Sequence, residues 1–128
     1  MNDDQQIREL IEDWAKAVRD RDVAGIVAHH SDDMLMFDVP VPFQSKGIDA
    51  YRKTWETFFR GTEEGRFEIS DLHINADTDV AFCTAKGRCS WKNDGKFEEL
   101  DFRLTVGLKK IDGEWTIVHE HHSVPANP

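Results

Sequence analysis

The chain has 128 residues, a length that suits one domain with a single buried core. Apolar residues make up 39% and charged residues 32%, and 25 Asp and Glu against 16 Lys and Arg leave a net charge of −9. Phosphate recognition needs clustered cations, so this balance argues against nucleic acid or an anionic membrane as the main partner.

The first residues, MNDDQQ, are acidic and unlike a signal peptide, and no apolar run approaches the roughly 20 residues of a membrane span. A cytoplasmic protein is expected. Ile7, Leu10, Ile11, Trp14, Ala17 and Val18 then repeat at three- and four-residue spacing, which predicts a helix, with Asp3 and Gln6 placed to cap it. A shorter helix follows over about 23–29. MLMFD reads as a brief buried strand, and the prolines of VPVPF enforce a loop after it. Gly47 opens a third helix with Ile48, Tyr51, Trp55, Phe58 and Phe59 on one face. From Arg66 the pattern alternates, predicting strands near 66–76, 79–91, 97–109 and 114–123, joined by ADTD, KNDGK and KIDGE. Helices followed by an antiparallel meander make a single α+β domain over 1–128, with the helices on one face of the sheet. Cys83 and Cys89 lie six residues apart on one predicted strand, roughly 20 Å at full extension, and are read as reduced thiols.

Hairpin register decides which side chains meet. Three-residue loops, Asn93-Asp94-Gly95 and Ile111-Asp112-Gly113, pair Arg103 with His121 and Thr105 with His119. One face then holds the small residues Ala81, Cys83, Ala85 and Gly87, with Asp101, Arg103, Thr105, His119 and His121 beside them, as a polar-rimmed pocket would require. The other face carries Phe102, Leu104, Val106 and Leu108, with Phe82 and Val118 on neighbouring strands. Such a row needs cover, and a homodimer packed sheet to sheet is expected to provide it.

The order of elements, the GIDAYRKTWETFF helix and the segment RLTVGLKKIDGEWTIVHEHHSVP resemble the SnoaL-like branch of the nuclear transport factor 2-like superfamily, which includes ketosteroid isomerase. The resemblance covers nearly the whole chain. It implies a cone-shaped domain with three N-terminal helices on a curved, mostly antiparallel sheet enclosing a cavity, commonly as a dimer. Ketosteroid isomerase uses an Asp base with an oxyanion hole of a Tyr and a protonated Asp. Asp38, at the end of MLMFD, fits the place of the base. Trp14 stands where the resemblance leads one to expect the Tyr, and an indole N–H donates a hydrogen bond but is no acid. That argues against steroid isomerisation and leaves base chemistry on another carbonyl compound open.

The candidate catalytic residues are therefore Asp38, His121 and Arg103, with Trp14, Trp55, Trp91, Thr105, His119 and Asp101 as candidate ligand contacts. Each has a plainer reading. Asp38 before Val-Pro would equally fix a turn, and Arg103 would equally neutralise Asp101 or Glu99. His121 would equally belong to a satisfied polar cluster, and the tryptophans would equally be core. His119 and His121 on one face have the spacing of a metal pair, but Arg103 among them disfavours a second cation, so neither a metal nor a cofactor is expected. His122 points the other way and reads as an interface or surface residue. Two functions of different class fit. One is a small-molecule enzyme of isomerase, cyclase or dehydratase type acting on an apolar carbonyl-containing or aromatic substrate. The other is a non-catalytic binding or assembly domain.

Overall fold

A computed structural model describes residues 2–127. Helix α1, Asp3–Arg19, starts at a capping box in which the Asn2 side chain accepts the Gln5 N–H at 2.8 Å and the Gln5 side chain accepts the Asn2 N–H. The cap thus lies one residue before the expected Asp3–Gln6 pair. Its apolar stripe, Ile7, Ile11, Trp14 and Val18, is buried. Asp22 caps the short α2, Val23–Val27, and α3 runs over Ile48–Gly61 with Tyr51 and Trp55 buried. The strands are β1 His30–Phe37, β2 Ser45–Lys46, β3 Glu63–Ala76, β4 Val80–Asn93, β5 Lys96–Ile111 and β6 Glu114–Ser123. They form one six-stranded sheet in the order β2-β1-β6-β5-β4-β3. All pairs are antiparallel except β1 with β6, so the domain is α+β with helices packed on a mostly antiparallel sheet. Among the described residues no helix is long and apolar enough to cross a membrane.

Both Asp-Gly hairpins have two-residue loops, which corrects the three-residue reading. Asn93 pairs with Lys96 and Ile111 with Glu114. Asp94 and Gly95 (φ 53° and 74°), like Asp112 and Gly113 (φ 51° and 81°), are consecutive left-handed residues. Two such residues give the loop a twist that matches the flanking strands, whereas a longer loop needs only one. A second feature compounds the shift. Leu108 pairs with Ile117 but Gly107 with His119, so β6 carries an extra residue at Val118. A bulge of this kind reverses the facing of everything beyond it.

The consequence is a different inner face. Ala81, Cys83 and Ala85 stand beside Leu108, Val106 and Leu104, all buried under the helices. The apolar row expected to seek a second subunit is the protein's own core; Leu104 is 2% exposed. Each such large side chain contributes roughly 1.5–3 kcal/mol by its burial. Of that expected patch, Phe82 does face outward, 51% exposed. On β6, Trp115 and Ile117 point inward before the bulge, and Glu120 and His122 after it. Arg103, Thr105, His119 and His121 are left on the outer face.

Candidate functional site

A pocket of about 940 Å³ opens between α3, the loop after β1, and the inner face of β3 to β6. Its surface is mainly apolar, with Trp55, Phe58 and Phe59 from α3, Phe67 from β3, Trp91 from β4 and Phe102 from β5, while charged residues such as Arg21, Lys53 and Glu99 also line it. Val39 to Pro42 supply one rim, and Asp38 and His122 are polar groups of the same wall. Alternation along β1 puts Met34, Met36 and then Asp38 on the inner side, which is how the strand delivers a carboxylate to a greasy pocket. Phe102 lies over the His122 ring at 5.6 Å with planes 28° apart. It can do so because residue 87 is glycine; a Cβ there would stand 2.1 Å from the Phe102 ring.

Behind the pocket runs a chain of polar groups. His122 Nδ1 lies 3.5 Å from Asp38 Oδ1, and His122 Nε2 lies 3.1 Å from Glu120 Oε1. The other oxygen of Glu120 accepts the Tyr51 hydroxyl at 2.7 Å and also meets His30 Nε2. Tyr51 in turn accepts the Trp14 indole N–H at 2.8 Å. His30 Nδ1 donates to the Ala28 carbonyl, which fixes the ring, and the ring stacks on Tyr51 at 4.7 Å. The Glu120 and His30 side chains are fully buried, and that of His122 is 7% exposed.

These surroundings set the charges. Burial alone would push the Glu120 carboxyl up, but hydrogen bonds from His122 and His30 outweigh it and hold it down at about 2. Burial would push the His122 imidazolium down, but the carboxylates of Asp38 and Glu120 overcome that and raise it to about 9. Burial, followed by the Glu120 charge, drives the Tyr51 phenol well above its ordinary value, so it stays a donor. Burial also pushes the thiols of Cys83 and Cys89 up to about 11, which leaves them protonated and poor nucleophiles.

Of the residues singled out from the sequence, the structure brings Asp38, Trp55 and Trp91 to the pocket. Trp14 sits just behind it, edge-on to Trp55, Phe67 and His122. Asp38 also accepts the Val39 N–H at 2.8 Å, so the turn-fixing reading holds alongside the pocket position. The remaining candidates are on the opposite face. Arg103 Nε donates to Ser123 Oγ at 3.2 Å, Asp101 pairs with Arg88, and Thr105 stands opposite His121. His119 Nδ1 donates to the Leu35 carbonyl, and Phe37 packs against both His119 and His121. Among the described residues, no three His, Cys, Asp or Glu side chains gather in a way that would hold a metal ion.

Register explains the exchange of roles. With two-residue loops and a bulge, His122 falls opposite Leu104 on the inner face, and His121 opposite Thr105 outside. Sequence reasoning missed Glu120, His30 and His122, and gave Tyr51 no role. Alternation from the inward Trp115 and Ile117 leads to His119 and His121, and only the bulge at Val118 turns Glu120 and His122 inward, so the residues themselves carried no signal for them.

Comparison with known proteins gives a consistent picture. The family model of the SnoaL-like domain matches residues 7–127. A nuclear transport factor 2-like protein of unknown function from Pseudomonas putida is 37% identical in sequence, over 96% of this chain and 87% of that one, with a TM-score of 0.86. A ketosteroid isomerase-like protein from Erwinia carotovora is 17% identical over 99% of this chain and all of that one (100%), with a TM-score of 0.83. A nuclear transport factor 2-like superfamily protein from Salmonella enterica is also 17% identical, over 96% and 91% of the two chains, with a TM-score of 0.84. At that identity the last two show the fold alone. Among curated proteins no sequence match is found.

Proposed function

The chain belongs to the SnoaL-like domain family, and we propose that it is a small-molecule enzyme of isomerase, cyclase or dehydratase type. Its substrate is an apolar compound carrying a carbonyl group, held in the aromatic pocket. The fold hosts many activities, so the reading rests on the site. The observation that carries it is the Asp38–His122 pair, 3.5 Å apart, in the wall of a cavity whose surface is mainly apolar. A carboxylate beside an imidazolium is matched to proton transfer. Asp38 takes a proton from the carbon next to the carbonyl, and the C–H electron pair moves into the enolate. Once protonated, Asp38 no longer neutralises His122, whose positive charge then stabilises the enolate oxygen. Return of the proton to another carbon, or loss of a leaving group, completes an isomerisation or dehydration.

The test is solvent deuterium incorporation next to the carbonyl of a panel of apolar ketones and polycyclic aromatic ketones, followed by mass spectrometry. The wild type should catalyse exchange, and Asp38→Asn should lower the rate about 10²–10⁴-fold. The aromatic walls also favour a second reading, a non-catalytic ligand binder. Tight binding of panel compounds without exchange, equal in wild type and Asp38→Asn, would establish that one instead.

A further inference from the structure

The polar chain behind the pocket contains more than acid–base chemistry at Asp38 and His122 requires. Glu120 does not line the cavity, yet it is fully buried and ionised at the centre of the core. A buried charged network is seldom a gain in stability over well-packed apolar residues of the same volume. Its geometry has a directional consequence. Glu120 Oε2 is occupied by Tyr51 and His30, which arrive from α3 and β1 and are themselves fixed by Trp14 and the Ala28 carbonyl. Only Oε1 remains for His122, and it meets Nε2. A carboxylate accepts, so Nε2 must carry a proton.

We propose that Glu120 is a positioning residue: anchored by Tyr51 and His30, it holds the Nε2–H of His122 and so presents the Nδ1–H, the proton lost when the imidazolium titrates, to Asp38 at the cavity wall. This rests on the reading of Asp38 and His122 as the reacting pair, but its test does not need a substrate. Among the described residues, the titratable groups that meet His122 are Asp38 from the end of β1 and Glu120 from its own strand. Its other ring neighbours, Trp14 of α1 and Phe102 of β5, are not charged.

The experiment is a pH titration of the ¹⁵N-histidine-labelled protein by long-range ¹H–¹⁵N NMR, with the His122 signals identified by their loss in His122→Gln. In the wild type, the neutral form of His122 should carry its proton on Nε2, and its titration midpoint should lie above those of the exposed histidines. In Glu120→Gln the single amide oxygen stays with the donors Tyr51 and His30, which turns the NH2 group toward His122 Nε2 and removes the charge. The proton of neutral His122 should then move to Nδ1, and its proton affinity should fall more than tenfold. A merely structural glutamate would change stability and leave both signatures unmoved. A neutral wild-type His122 protonated on Nδ1, or one titrating with the exposed histidines, overturns the inference. If Glu120→Gln fails to fold, the wild-type measurement decides alone. Absent deuterium exchange in a protein whose His122 behaves as stated would remove the enzymatic reading and leave the positioning of His122 intact.

Discussion

On β6, Glu120 and His122 point into the domain, while His119 and His121 point out of it. The two sets are neighbours in sequence and similar in composition, but their surroundings differ. The inner pair is closed off by Trp14, Phe102 and Tyr51, and its charges are felt through a medium that screens poorly. The outer pair packs edge-on to Phe37, near Arg103 and Thr105, on the sheet face left uncovered by the helices. What makes an imidazole useful for chemistry here is the set of partners that burial forces on it. Two residue types in alternation become a tuned pair on one side and ordinary surface on the other.

The sharpest way to break this comparison is to remove one residue from each side. Glu120→Ala leaves His122, His30 and the Tyr51 hydroxyl facing an empty space, and loss of one partner from a buried ionic cluster costs about 3–5 kcal/mol. His121→Ala removes an exposed side chain and should stay within about 0.5 kcal/mol of wild type. Urea denaturation of both variants measures the contrast. Equal losses would mean that the two faces are energetically alike.

Titration sharpens the same contrast. His122 holds its proton more tightly in the folded chain, near about 9 against 6.5 unfolded. Its contribution is therefore complete below pH 6.5 and is lost as pH rises through about 9. Glu120 is the reverse, at about 2 against 4.5, so its contribution is present above pH 4.5 and disappears as pH falls through about 2. Stability from this pair should peak between pH 4.5 and 6.5. A shift of the size seen for His122 corresponds to a decline on the order of 3 kcal/mol on the alkaline side. Denaturation midpoints followed from pH 6.5 through about 9 should show it in wild type and in His121→Gln. His122→Gln should flatten the alkaline limb; an unchanged limb would place the titrating group elsewhere.

Much of the architecture was legible in the residues because it rests on local patterns. The stripe from Ile7 to Val18 and the face from Ile48 to Phe59 identify their helices and the side each buries, while the alternation after Arg66 identifies the strands but not the face the helices cover. Asp38 was legible only through the family resemblance, which implies a base at the end of MLMFD. The rest depended on counting across turns. Asp-Gly is compatible with loops of two residues or three, and an error of one residue exchanges the faces of a strand. The bulge at Val118 has no sequence signature, because valine fits any strand position. Glu120 and His30, 90 residues apart, meet only through the parallel pairing of β1 with β6, which no local pattern encodes.

Two glycines extend the comparison to packing. At Gly87 on the inner face, an added methyl would overlap Phe102 and push that ring against His122. Overpacking of this kind costs typically about 1–3 kcal/mol. Gly107 lies on the outer face beside His119, where a Cβ would meet only the His119 Cβ at 3.4 Å. Gly87→Ala should therefore lower the denaturation midpoint and shift the His122 NMR signals, while Gly107→Ala should leave the His122 signals in place. A reversed order would contradict the inward direction of Phe102.

The smallest effect expected is at Arg103. Its side chain is exposed on the outer face and donates a hydrogen bond to Ser123 Oγ at 3.2 Å. Single exposed interactions of this kind are lost with little consequence, so Arg103→Ala should change stability by less than about 0.5 kcal/mol. The sheet itself stands between Arg103 and the pocket, so the His122 titration and the deuterium exchange rate should match wild type. Measured beside Asp38→Asn, this variant separates the two faces most cleanly, because one substitution reaches the cavity and the other does not. A loss of exchange with Arg103→Ala as large as that with Asp38→Asn would bring Arg103 back to the reacting groups. It would also require β5 to be shifted by one residue against β6, with Leu104 and Val106 turned outward.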